Sequence, residues 1–140
     1  MQEDEIRQIV LKHYEQGFHC AESISRTIHE LFPKQSGPVD KVASGFCGGI
    51  GRCREDVCGA LSGGVIALGS MYGRERGDRN IDRLVALCAE FRRRFSEEFG
   101  TTVCKNVIEN SKRMPGMTDC RDVTGRAAWI LLRLIEEDSV

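Results

Sequence analysis

Seven cysteines lie in 140 residues, and four of them fall where a helix is expected to begin. They are Cys20 in FHCAES, Cys58 in EDVCGALSGG, Cys104 in TTVCKN and Cys120 in MTDCRD. A helix start points N–H groups and a positive partial charge outward, which favours thiolate over thiol. Thiolate is the form that attacks disulfides and ligates metals. Cysteine placed repeatedly at such positions points to chemistry more than to packing. These four are therefore both the candidate redox residues and the candidate metal ligands.

The other three cysteines carry weaker signals. Cys47, Cys53 and Cys58 cluster around a glycine-rich turn, GFCGGIGRCRED. Their spacing is neither C-x-x-C nor that of a zinc finger. Cys47 or Cys53 could resolve a disulfide formed at Cys58, or be an incidental small residue. Cys88 falls in mid-helix on an apolar face and reads as a core cysteine. His19, beside Cys20, could lower the pKa of its neighbour or complete a metal site, but a surface histidine near a helix start is the blander reading.

The elements that must position these residues read as helices throughout. Apolar periodicity predicts helices over residues 3–16, 20–32, 57–72, 81–99, 103–111 and 119–136, with a short helix over 39–46 and Thr118 as N-cap of the last. Gly17, Gly73 and Gly100 are suitable stops. There is no convincing alternating strand and no repeat. The expected fold is all-α, one domain over 1–140, a bundle of about five to seven helices around a central Gly/Ala-rich helix.

That central helix is predicted from its small residues. An interior glycine costs about 1 kcal/mol relative to alanine, so several together need a reason. Gly59, Ala60, Gly63 and Gly64 fall on neighbouring turns of one face. Without side chains there, another backbone or a cofactor can approach closely. This face is the candidate cofactor-binding surface, with Cys58 at its mouth.

Bulk properties narrow the function. Net charge is −1 and acidic and basic residues are mixed, so no global field draws nucleic acid or an anionic membrane. Arg92, Arg93 and Arg94 are flanked by Glu90, Glu97 and Glu98 and read as a solvated face. The longest uncharged stretch, Val57 to Gly73, falls just short of the ~18 residues of a membrane span and is rich in glycine, so no membrane insertion is expected. The acidic, polar start MQEDEIRQ does not read as a secretory signal, which favours the cytoplasm, where structural disulfides are rare. GGIGR lacks the strand and the Lys-Ser or Lys-Thr of a phosphate loop. No serine triad, HExxH helix or paired carboxylates stand out, so no substrate-transforming site is identified.

The motif Cys58-Gly59-Ala60-Leu61-Ser62-Gly63 resembles that of the redox-active proteins named for a C_GCAxxG_C_C cysteine pattern. Cys20, Cys104 and Cys120 match the other cysteines of that pattern, and the glycine-rich turn and LGSMYG also look typical. The resemblance covers nearly the whole chain and implies a cysteine-based redox function. It extends to a domain of some haem-containing electron carriers that hold an iron–sulfur centre. This chain has no C-x-x-C-H haem attachment site, so the shared feature would be the cluster. Cys47, Cys53 and Cys88 are additional to the pattern.

Three readings follow. The first is a cysteine-ligated metal centre, iron–sulfur ahead of zinc, used in electron transfer or sensing. The second is a metal-free thiol–disulfide protein with Cys58 as the attacking thiol. The third is a helical binding or scaffold protein with structural cysteines. The sequence names no redox partner and leaves a homo-oligomer open.

Overall fold

Residues 1–138 are described by a computed structural model. In chain order the elements are α1 (Glu3–Glu15), α2 (Cys20–Leu31), a single 3-10 turn (Ser44–Phe46), α3 (Gly59–Tyr72), α4 (Asp82–Phe99), α5 (Cys104–Ser111) and α6 (Cys120–Asp138). Among the described residues there is no strand, only an isolated antiparallel bridge between Val57 and Val103. No described helix is long and apolar enough to cross a membrane. The all-α expectation holds.

The core forms where the periodicity places it. Ile6 and Val10 of α1, Ile24 and Ile28 of α2, Phe91, Phe95 and Phe99 of α4, and Leu131 and Ile135 of α6 are buried together. Burying one such side chain contributes about 1.5–3 kcal/mol. Helix α3 carries no charged residue and packs against α2, α4 and α6. It is the central helix.

The glycines of α3 are explained by what a Cβ would meet. At Gly63 it would lie 2.4 Å from the Ala21 carbonyl oxygen and 2.6 Å from the Ala21 Cα, so the backbones of α2 and α3 touch there. At Gly64 it would fall 2.4 Å from Cε2 and 2.8 Å from Cζ of the Phe91 ring. Three ion pairs close the outer helices: Arg7 to Asp122 at 2.6 Å joins α1 to α6, and Arg126 of α6 joins Glu3 of α1 at 3.0 Å and Glu98 of α4 at 2.7 Å.

Two local expectations are corrected. The segment 39–46 is not a helix: it is mostly turn, Lys41 adopts a left-handed φ of 72°, and only Ser44–Phe46 forms a 3-10 turn. Thr118 is not the cap of α6. Its hydroxyl donates to Asp122 Oδ2 at 2.7 Å, while Asp119 Oδ1 accepts the Arg121 N–H at 2.9 Å and caps the helix.

Candidate functional site: a four-helix-end thiol pocket

The start of each of four helices carries one of the four cysteines. Cys20, Cys104 and Cys120 are the first residues of α2, α5 and α6, and Cys58 is the residue that caps α3. All four line one cavity of about 250 Å³. Residues 16 to 100 positions apart in the chain thus meet at one end of the bundle. All are free thiols; Cys20, Cys58 and Cys104 are buried and Cys120 is half-buried.

Local sequence explains each placement. Gly59 makes room for Cys20: a Cβ at Gly59 would lie 2.3 Å from Cys20 Sγ. Cys58 is tied to the start of α5 through its own N–H, which donates to the Thr102 carbonyl at 2.7 Å. The glycine-rich loop 45–56 holds Cys104 from the other side. The Cys104 N–H donates to the Asp56 carbonyl at 2.8 Å and the Lys105 N–H to the Arg54 carbonyl at 2.8 Å. Gly49 is pressed so closely on Cys104 that a Cβ there would come within 2.7 Å of the Cys104 Cβ.

The same loop brings two cations to the cavity. Ile50, Arg52 and Arg54 take left-handed φ values of 66°, 60° and 66°. Such a conformation costs roughly 1–2 kcal/mol per non-glycine residue. Hydrogen bonds hold it: Arg52 N–H to the Cys47 carbonyl at 3.2 Å and Arg54 N–H to the Gly48 carbonyl at 2.9 Å. Arg52 and Arg54 both line the cavity, and Arg54 lowers the pKa of Cys104 and of Cys120.

Burial nevertheless dominates three of the thiols. Desolvation pushes Cys58 up to about 12, against the pull of the Ala60 and Leu61 amides, and nearby Cys104 and Cys120 push it further. Burial likewise raises Cys104 and Cys120. The helix-end field alone does not produce thiolates here, because the low-dielectric surroundings and the crowding of like groups outweigh it. Cys20 is the exception. A hydrogen bond from Cys47 lowers it, burial opposes this, and the Gly48 N–H adds to the lowering.

Tyr14 was not anticipated at the pocket, and Cys47 was anticipated only as a residue that could resolve a disulfide at Cys58. Tyr14 lines the cavity, and burial raises its pKa, so it stays a neutral phenol. The Thr124 hydroxyl donates to the Cys120 carbonyl at 2.8 Å, and the Tyr14 hydroxyl lies 3.0 Å from Thr124 Oγ1 and 3.4 Å from the same carbonyl. Cys47 is buried at the start of α2 and faces the pocket. Tyr14 read only as one residue of a helix face, and Cys47 lay in a loop with no periodicity to orient it.

The remaining sequence candidates fall as follows. His19 lines the cavity, and its N–H donates to Glu22 Oε1 at 3.1 Å. Cys53 is exposed and donates to the Gly49 carbonyl at 2.8 Å. Cys88 is half-buried on α4 and borders a separate apolar groove with Phe46 and Val65. Gly59, Gly63 and Gly64 meet Cys20, Ala21 and Phe91, while Ala60 is fully buried. Arg93 and Arg94 pair with Glu90, Glu97 and Glu137.

The donor set can be tested against metal groups. Among the described residues, no three His, Cys, Asp or Glu side chains stand together as a site for a metal ion. A single zinc would need its sulfurs drawn to about 2.3 Å from one point. Here four cysteines line one cavity of about 250 Å³, and four cysteines are the donor chemistry of an iron–sulfur cluster.

Fold and pocket together define an all-helical protein with a polythiol pocket at converging helix ends. The chain belongs to the family described as "Putative redox-active protein (C_GCAxxG_C_C)", whose model matches residues 18–134. No curated protein and no solved structure matches it.

Proposed function

We propose that this redox-active protein holds an iron–sulfur cluster on Cys20, Cys58, Cys104 and Cys120 and serves as an electron carrier or sensor. The observation that supports this reading is that four helix starts, each with one cysteine, open on a single cavity of about 250 Å³. A bound cluster would supply electron transfer at a potential set by its surroundings.

The chain's own residues do the rest. The four thiols give up their protons to ligate, so uptake releases protons and strengthens as pH rises. N–H groups at the helix starts and the cations of Arg52 and Arg54 offset the negative charge of the thiolates. Burial of Cys20, Cys58 and Cys104 limits their contact with bulk solvent to what the cavity admits. Gly59 lets Cys20 lie close against α3.

Replacing the cysteines one at a time tests the assignment. Serine at 20, 58, 104 or 120 should each reduce bound iron at least tenfold after anaerobic reconstitution. Serine at 53 or 88 should leave it unchanged. Equal iron in Cys58→Ser and the parent would remove the basis for this reading.

A further inference from the structure

Cys47 is outside the four-cysteine set, yet it is the cysteine placed directly beside one of its members. Cys20 and Cys47 belong to one small buried cluster with Ala21 and Ala43. Cys47 has a single S–H and two acceptors for it: Glu22 Oε1 at 3.5 Å and the Cys20 sulfur. Both cysteines face the same cavity, so a small solute reaches both.

We propose that Cys20 and Cys47 are a peroxide-reactive pair that closes to a reversible disulfide. The reactant is a small hydroperoxide, a class that fits a cavity of about 250 Å³. In the first step the Cys20 sulfur attacks one peroxide oxygen and the O–O bond breaks. The thiol proton leaves with the other oxygen as water (an alcohol for an organic hydroperoxide), and Cys20 becomes a sulfenic acid. In the second step the Cys47 sulfur attacks the Cys20 sulfur. The S–O bond breaks, the S–S bond forms, and the Cys47 proton leaves with the hydroxyl as a second water. Two thiols supply two electrons, and the peroxide is reduced by two. A dithiol restores the pair by exchange.

The consequence for the pocket rests on the function proposed above: tying Cys20 to Cys47 withdraws one of four ligands. Peroxide would then block cluster loading until the disulfide is reduced. The disulfide itself does not depend on that reading.

Trypsin separates the pair, because residues 13–26 and 42–52 are distinct peptides with one cysteine each. Full-length protein, reduced and freed of metal with a chelator, is treated with hydrogen peroxide, alkylated and mapped by mass spectrometry without reduction. The expected result is loss of two of the seven thiols per chain, with 13–26 linked to 42–52, reversed by dithiothreitol. A link from Cys20 to Cys58, Cys104 or Cys120 instead, or no link within the chain, overturns the proposal. In Cys47→Ala, with far-UV circular dichroism to confirm folding, dimedone should trap the sulfenic acid on 13–26. An unmodified Cys20 there contradicts the first step. Iron reconstitution before and after peroxide keeps the two readings apart. If reduced protein takes up no iron, the cluster reading falls while the peptide map still decides the disulfide.

Discussion

At the scale of single residues, position and environment pull the thiols in opposite directions. A cysteine at a helix start gains about 0.3–1 kcal/mol for its thiolate from the helix end. Burial raises Cys58 from 9.0 to about 12, which is the larger effect. The sign for stability follows from proton binding. Between these values the folded chain keeps the Cys58 proton while the unfolded chain loses it, so stability is full below pH 9.0 and falls as pH rises toward 12. Urea unfolding of the metal-free protein across pH 8–11 should show this decline beginning near 9, flattened in Cys58→Ser; parallel curves for the two would contradict it. The placement of the four cysteines at helix starts was legible from their sequence context. The raised pKa values were not, because both the burial and the charge of Cys104 and Cys120 come from residues that lie far away in the chain.

At the scale of elements, α3 decides how closely the cysteines can gather. Its glycines are not equivalent. Gly63 faces the Ala21 backbone at 2.4 Å, whereas nothing lies within 4 Å of a Cβ at Gly69. Gly63→Ala should therefore destabilise the protein by about 1–3 kcal/mol through overpacking, and Gly69→Ala should stabilise it by roughly 0.4–1 kcal/mol. Chemical denaturation of the two variants checks both, and equal effects would show that α2 does not press on α3. Gly59→Ala acts on chemistry instead: its Cβ would stand 2.3 Å from Cys20 Sγ. It should cut iron uptake severalfold with helical content unchanged by circular dichroism, and full uptake would show that Cys20 does not need that space. The small-residue face of α3 was readable from sequence. The loop 45–56 was not, since its left-handed Ile50, Arg52 and Arg54 are held by N–H bonds to nearby carbonyls, and by α5 N–H groups donating to the loop's own carbonyls, rather than by any periodic pattern. For the same reason the segment 39–46 read as a helix although Lys41 turns left-handed.

At the scale of the whole molecule, the bundle is an arrangement for bringing helix starts together. Helices α2, α3, α5 and α6 begin at one cavity, and α1 contributes Tyr14 to its wall. The apolar stripes of α1, α2, α4 and α6 already indicated which faces meet, which is why the all-helical fold was legible. That the cysteine-bearing helix ends meet was suggested by the cysteines and not by periodicity, which specifies a face and says nothing about direction along the bundle. The packing of α2 on α3 and of α1 on α6 supplies that direction. The most direct test of the central claim is the iron and acid-labile sulfide content per chain of protein purified and reconstituted without oxygen. Cluster loading should be near-stoichiometric, with iron and sulfide in equal amounts, and lost in Cys58→Ser. Protein that stays free of iron and sulfide after reconstitution, with all its thiols reduced, would contradict it.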